Sequence, residues 1–384
     1  MHKFARAVAA VVVCGCAAAE VLAADEDWSR IYLGSNPSVS GDGHKFVFEW
    51  CDGIWMADTA GGVAHRLGSD VFADSWPVLS ADGRRVAFAS TRDGGMKAFV
   101  MDIATGKTTP ATRNTESCLP RAWHPDGERL VCIVERDTSG PRNKNRIALV
   151  HTASADAEEI PFNAPAIEPV PSPDGKSLLF VWRGDDIYRK RPHSTSPEAG
   201  QIWLFTFKTR EFKRVVAHET DCRSPQWLPD GSGFYYLNAK GGVRNVWRYD
   251  FASGKERQIT FFKDQHVFQP SLSADGRTLV FRQTFDFWRM DPTAKDAKPE
   301  RIILHPAPGA AAAPTTRRRS YSMCWNNDSD GDAAFCDGGR QVAFTVGGDL
   351  FVMDSVVREP RLVHGSSLTH ERSCVFSRDG KYLY

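Results

Sequence analysis

Beyond its first two dozen residues the chain has no long apolar run, which excludes a polytopic membrane protein. It has no charge excess either: 48 Lys+Arg stand against 47 Asp+Glu, a formal net charge of +1. Nothing in that balance would hold a nucleic acid or an anionic membrane by bulk electrostatics, so neither is expected as a partner. Cysteine is sparse and dispersed. Cys14 and Cys16 lie in the N-terminal apolar stretch, and Cys51, Cys118, Cys132, Cys222, Cys324, Cys336 and Cys374 form no CxxC pair and no zinc-spaced set with His. No metal site and no dense disulfide framework is indicated. Cys51 and Cys132 sit in apolar runs and read as small buried residues. Also missing are the G-x-S-x-G elbow, an HExxH helix, a phosphate loop and a dinucleotide fingerprint, and no cofactor is expected. A helical 3.6-residue period is absent after the leader. What remains is a chain of 384 residues, 42% apolar and 25% charged, long enough to bury substantial cores.

Residues 1–24 read as a secretory signal: His2, Lys3 and Arg6 start it, Ala7 to Ala19 supply the apolar stretch, and Val21-Leu22-Ala23 or Leu22-Ala23-Ala24 the small-residue cleavage site. The expected location is therefore outside the cytoplasm, in the periplasm, with no membrane span once the signal is removed. A second reading makes Cys16 of Val13-Cys14-Gly15-Cys16 a lipidation site, a poor match because Cys occupies the second position of the box.

The dominant signal in the rest is a Ser-x-Asp-Gly-like turn followed by a short apolar run. Its acids are Asp42, Asp82, Asp126, Asp174, Asp230, Asp275, Asp337 and Asp379, at steps of 40, 44, 48, 56, 45, 62 and 42 residues. That spacing suits a four-stranded unit. In the first unit Pro37-Ser38-Val39 is a short strand, Asp42-Gly43 the turn, Phe46-Val47-Phe48 the second strand and Ile54-Trp55-Met56 the third; Gly61-Gly62 then turns into Val63 to Leu67. One acid per unit at a fixed turn is a structural signature rather than eight active sites. The second strands, such as Leu178-Leu179-Phe180-Val181-Trp182, are nearly continuous apolar runs, so both of their faces must be covered. Twisted sheets stacked around an axis achieve this, and the expected fold is an all-β propeller of four-stranded blades.

The repeats resemble those of TolB-type propellers, and two stretches resemble tricorn-like peptidases more narrowly. Tyr188-Arg189-Lys190-Arg191 ahead of Gly200-Gln201-Ile202-Trp203-Leu204-Phe205 and Lys208-Thr209-Arg210-Glu211-Phe212-Lys213-Arg214 is similar to the fourth unit of the tricorn six-bladed propeller. Gln341-Val342-Ala343-Phe344, Gly348-Asp349-Leu350-Phe351-Val352 and His370-Glu371-Arg372 resemble the start of that family's second, seven-bladed propeller. The resemblance implies a six-bladed ring over residues 31–307, a Pro/Ala-rich linker over 308–325, and one blade with a truncated second over 326–384. The chain stops at Tyr384 inside an apolar strand, which reads as the N-terminal part of a longer protein.

The resemblance also implies a parent serine peptidase whose catalytic residues lie in domains beyond this chain, so no catalytic residue is expected here. His218-Glu219 and His370-Glu371 lack the second His of a zinc helix, and Asn327 to Asp332 lacks the closing acid of a calcium loop. The candidates for substrate binding are basic. Arg142, Lys144 and Arg146 occupy the third unit, and Arg189, Lys190 and Arg191 the fourth-unit insertion. Each reads as a solvated loop charge or as a cation that holds a peptide carboxylate near the ring axis. In the family a third-blade arginine pair anchors the substrate carboxylate; the matching positions here are Arg142 and Asn143, so one arginine is kept. The expected partners are peptides or unfolded polypeptides, and by resemblance a homo-oligomer. A TolB-like non-catalytic binding propeller is the alternative, and the propeller of a prolyl-peptidase-type enzyme with a hydrolase domain downstream is a third.

Overall fold

A strand that is apolar on both faces needs two partners, and in the computed structural model each second strand divides its side chains between two inter-sheet seams. The structure describes residues 30–68, 71–113, 116–135, 145–154, 158–182, 199–307, 333–336, 340–346, 349–354, 360–364, 371, 374–377 and 379–384. In the strand Lys45–Trp50, Phe46 and Phe48 pack with Val280, Phe287 and Leu304, while Val47 on the other face packs with Ile54, Val86 and Phe88. In Arg129–Glu135, Leu130, Cys132 and Val134 face one seam and Val131 and Ile133 the next. Tyr235 and Leu237 part from Phe234 and Tyr236 in the same way. The core is thus a set of wedges between sheets, and each fully buried side chain contributes about 1.5–3 kcal/mol.

The described residues contain no helix, and their strands form antiparallel four-stranded sheets laid down in chain order. Six such sheets fall between Ser35 and Ile302. Their first strands, Ser35–Val39, Asp74–Leu79, Cys118–Trp123, Ile167–Pro171, Cys222–Trp227 and Val267–Leu272, lie side by side, and the last returns to the first. At that seam Asn36 N–H donates to Gln269 Oε1 at 2.9 Å and Val39 N–H to Ser271 Oγ at 3.0 Å. This is a β-propeller with the first strands innermost.

One element was not legible in the sequence. Leu304–Pro306 adds a fifth strand to the first sheet, parallel to its outer strand Gly62–Leu67. Leu304 is buried, and its carbonyl accepts from Ile31 N–H at 2.8 Å. Both ends of the ring segment are therefore fastened to the first sheet.

The Asp-Gly turns line the opposite end from the starts of the inner strands. In the first, Ser40 Oγ donates to Asp42 Oδ1 at 2.6 Å, His44 N–H donates to the same oxygen at 3.1 Å, and Gly43 takes φ 73°, where a Cβ would be strained. Ser80/Asp82, Ser172/Asp174, Ser273/Asp275 and Ser377/Asp379 repeat the arrangement. Their serine and backbone donors hold Asp42, Asp82, Asp174, Asp275 and Asp379 below the usual carboxylate range. The third turn has His124 in place of Ser, and Arg129 Nε donates to Asp126 Oδ2 at 2.6 Å. In the fifth, Ser232 donates to Asp230 from backbone and hydroxyl. Asp337 lies outside the described residues.

A seventh four-stranded sheet is formed by Ala333–Phe335, Gln341–Val346, Asp349–Asp354 and Pro360–His364. It meets the ring through Phe285, whose ring lies 5.0 Å from that of Phe351 and 6.1 Å from that of Phe344. The leader at 1–24 and the linker at 308–325 lie outside the described residues.

Cys51 departs from its expected place. It is exposed, at the Trp50-Cys51-Asp52-Gly53 hairpin turn with φ 50°, because the apolar run ends one residue earlier. Cys132 is buried as expected.

Candidate functional site

Every inner strand carries a bulge at the same level. Five of the six bulges place a non-glycine residue at positive φ: Asn36 (51°), Trp76 (54°), Glu168 (52°), Ser224 (50°) and Gln269 (49°). Such a conformation costs about 1–3 kcal/mol per residue and persists only where the surroundings enforce it. Each of these residues precedes a proline, Pro37, Pro77, Pro169, Pro225 or Pro270, which has no N–H to leave unpaired where the ladder breaks. In the third sheet the order inverts to Pro120-Arg121, and the register shift falls opposite Val131 and Cys132. Proline buries itself, while the bulge residue stays partly accessible. The bulge therefore turns one side chain per sheet away from the seam and toward the axis.

Contacts involving these residues cross four of the six seams between neighbouring inner strands. Gln269 Nε2 donates to Asn36 Oδ1 at 2.9 Å, linking the sixth sheet to the first. Glu49, on the second strand of the first sheet, accepts from Asn36 Nδ2 at 2.9 Å and from Trp76 N–H at 3.3 Å, linking the first to the second. Arg121 stacks over Trp76 with its guanidinium carbon 3.6 Å from the ring centre, linking the second to the third. Glu168 accepts from Ser224 N–H at 2.6 Å and pairs with Arg223 Nη2 at 3.2 Å, linking the fourth to the fifth. Farther along, Phe268 lies between Arg244 and Arg282, whose guanidinium carbons stand 5.1 and 4.9 Å from its ring centre.

Charge at this ring is poorly solvated. Burial pushes the Glu49 carboxyl up, against the lowering effect of its Asn36 and Trp76 donors. Burial also lowers Arg121, to about 10, with Glu168 and Glu49 opposing the shift. Arg121 stays a cation at neutral pH. Arg121 forms no ion pair within 4.0 Å and its Nε has no hydrogen-bond partner among the described residues, whereas Glu168 is fully engaged. The ring can thus offer planar N–H donors to an anion, an indole face, and carboxamides for orientation.

The basic residues singled out from the sequence fall elsewhere. Arg142, Lys144, Arg189, Lys190 and Arg191 lie outside the described residues. The strand ends flanking these segments, Glu135 and Asn145, Trp182 and Gln201, belong to the end of the ring opposite the Asp-Gly turns. Arg146 is buried, with Nε donating to Asn163 Oδ1 at 2.7 Å and Nη1 to the Asn145 carbonyl at 2.9 Å. It braces the adjoining loop. Among the described residues no group of three or more His, Cys, Asp or Glu is arranged to hold a metal ion.

Sequence reasoning missed the axial ring, although a signal for it exists. In five repeats a residue followed by proline stands six positions before the turn aspartate, as in Asn36-Pro37 ahead of Asp42 and Trp76-Pro77 ahead of Asp82. The tricorn protease N-terminal β-propeller domain model matches residues 32–296, which span all six bulged strands. The chain belongs to that family.

Two tricorn relatives show how much of such a protein is present. Tricorn protease homolog 1 of Streptomyces coelicolor is 24% identical over 271 residues, covering 68% of this chain and 24% of that protein. Tricorn protease of Thermoplasma volcanium is 24% identical over 275 residues, covering 68% of this chain and 25% of that protein. The chain thus spans about a quarter of the length of the tricorn relatives it matches. A crystal structure of the tricorn protease superposes over 88% of this chain and 32% of that one, with TM-score 0.58 at 18% identity, a likeness of fold. TolB-type propellers are relatives too: the Tol-Pal system protein TolB of Francisella tularensis is 24% identical over 227 residues, 58% of this chain and 47% of that protein. No helix among the described residues is long and apolar enough to cross a membrane.

Proposed function

We propose that this tricorn-family propeller is the N-terminal region of an exported serine peptidase and that it guides or filters peptides toward a catalytic region outside the sequence described. The family match carries the reading, because it places the chain among propellers whose named relatives are proteases. The axial ring supports it: six bulges, five of them strained, each present one polar or aromatic side chain on an inner strand, an arrangement suited to handling an extended polypeptide. On this reading residues 31–307 act as one six-bladed ring, 308–325 as linker, and 326–384 as the start of a second propeller. The basic segments at Arg142, Lys144 and Arg189 to Arg191 then serve as collecting charges, the leader at 1–24 directs export to the periplasm, and ring-to-ring assembly into a homo-oligomer follows the family pattern.

The chain alone is expected to be proteolytically inert and to bind unstructured peptides in preference to folded proteins. Incubation with a fluorogenic peptide library is the test. Turnover that a serine-directed inhibitor abolishes would overturn the placement of catalysis elsewhere, and absence of peptide binding would overturn the guiding role. A second reading rests on the TolB relative: a non-catalytic module that docks on a folded partner protein. It predicts the reverse preference in the same binding measurement.

A further inference from the structure

We propose that the outer edge of the fourth sheet, the strand Glu211–Val216, takes up an acidic, extended segment of a partner polypeptide as an added strand. An edge strand turns the N–H and C=O of every second residue away from its sheet, where they stay unpaired. Five of the six ring sheets keep that liability small. The outer strands Thr108–Pro110, Glu158–Glu159, Glu256–Gln258 and Glu300–Ile302 are two or three residues long, and Gly62–Leu67, with six, is covered by Leu304–Pro306. The fourth sheet ends instead in a six-residue strand with no further strand beside it among the described residues. That edge is also held ready. Arg210, at φ 58°, donates its N–H to the Thr206 carbonyl at 2.8 Å and its Nη2 to the Pro161 carbonyl at 2.8 Å, fixing where the strand begins.

The side chains of the strand define what fits it. Phe212 lies opposite Phe205 with ring centres 4.9 Å apart, and 5.1 Å from the ring of Phe162, yet it is 46% exposed. One face of the edge thus carries an aromatic ring that is held in place and half uncovered, a seat for an apolar side chain. Lys213 and Arg214 follow, both exposed and without an ion pair among the described residues. Between Lys208 and Arg214 four cations stand against the single acid Glu211, in a chain whose net charge is only +1. A second copy is therefore the wrong occupant. Two such edges paired antiparallel about a two-fold axis through the strand centre would set Lys213 against Arg214, and like charges directly opposite one another are destabilising. An antiparallel strand reading acid, acid, aromatic meets Arg214, Lys213 and Phe212 in turn and makes cross-strand pairs of the same two cations. The edge lies on the rim, away from the axial ring, so this docking and the guiding role stand or fall separately.

The experiment adds N-acetylated, C-terminally amidated hexapeptides to the full 384-residue chain. One reads Thr-Val-Glu-Glu-Phe-Thr, one has Lys-Lys in place of Glu-Glu, and two are isomers of the acidic peptide N-methylated at alternate residues, odd in one and even in the other. Binding is read by calorimetry, and the edge by amide hydrogen exchange. The acidic peptide is expected to bind about tenfold or more tighter than the lysine peptide, and to slow exchange in Glu211–Val216 but not in Thr108–Pro110. One N-methylated isomer should bind as the parent does and the other should not, because a single edge of the peptide meets the sheet. Lys213→Glu combined with Arg214→Glu should reverse the preference between the acidic and lysine peptides, and Phe212→Ser should weaken the acidic one. Each variant is admitted only with a wild-type melting transition, and the charge-reversed pair, on exposed positions, keeps the test open if Phe212→Ser fails to fold. No binding of the acidic peptide, equal binding of acidic and lysine peptides, or binding kept by both N-methylated isomers overturns the proposal. So does an edge already slow to exchange in the free chain, which assigns it to the chain itself, or one that slows as a dimer forms with rising concentration, which assigns it to a second copy.

Discussion

At the scale of single residues, the turn aspartates and the axial residues use polar groups in opposite ways. Asp275 is exposed and satisfied: Ser273 Oγ and the Arg277 N–H both donate to Oδ1, so its ionised form is favoured in the folded protein. A carboxyl whose folded pKa is depressed stabilises above the unfolded value, here 3.8, and that contribution is lost as pH falls through the folded value. Asp275→Ala should therefore lower the melting temperature at pH 7, and the gap from wild type should close as pH drops below about 3.8; a gap unchanged between pH 7 and pH 3 would reject this account. The axial residues, marked in sequence only by the proline that follows five of them, are harder to read for a physical reason. Asn36, Trp76, Arg121, Glu168, Ser224 and Gln269 differ in chemistry, so no shared residue type marks them, and what they share is a backbone distortion. Arg142 and Arg189 to Arg191 drew attention because like charges in a row are conspicuous in a string of letters. Arg121 stands alone between Pro120 and Ala122 and is not.

At the scale of elements, most strands could be placed from the alternation of apolar residues and the Gly-containing turns, because both depend on neighbours in sequence. Phe46-Val47-Phe48 and Ile54-Trp55-Met56 fall within observed strands that pair in register. The clasp Leu304–Pro306 could not be placed in this way. Three residues carry no periodicity, and the partner strand Gly62–Leu67 lies far back in the chain. Its contribution should be large for its size. Leu304 is 1% exposed and packs with Phe46, Trp55 and Ile302, so Leu304→Ala is expected to cost about 2–4 kcal/mol. Hydrogen exchange should then quicken first in Gly62–Leu67 and at Ile31, with the third and fourth sheets little affected. Uniform quickening across all sheets would show instead that the clasp is only one more piece of a single cooperative core.

At the scale of the whole molecule, the seventh sheet bears on the ring at the seam where the sixth and first sheets meet. Phe285 fills the contact with Phe344, Phe351 and Val346, and its carbonyl accepts from Leu33 N–H at 2.9 Å. Phe285→Ala should loosen the seventh sheet without melting the ring: limited proteolysis is expected to cut faster between residues 333 and 364, while the main thermal transition shifts by a few degrees at most. A collapse of the main transition would make the contact part of the ring's own core. The fastening of the first sheet at both of its ends also sets an order of events during synthesis. Arg30 reaches Asp286 across 256 residues at 2.6 Å, and the clasp follows later still. At ~5–20 residues per second, the first sheet leaves the ribosome roughly some tens of seconds before the strands that complete it, with the edge of Gly62–Leu67 unpaired throughout. A nascent chain of this protein is therefore expected to need a holding partner during that interval.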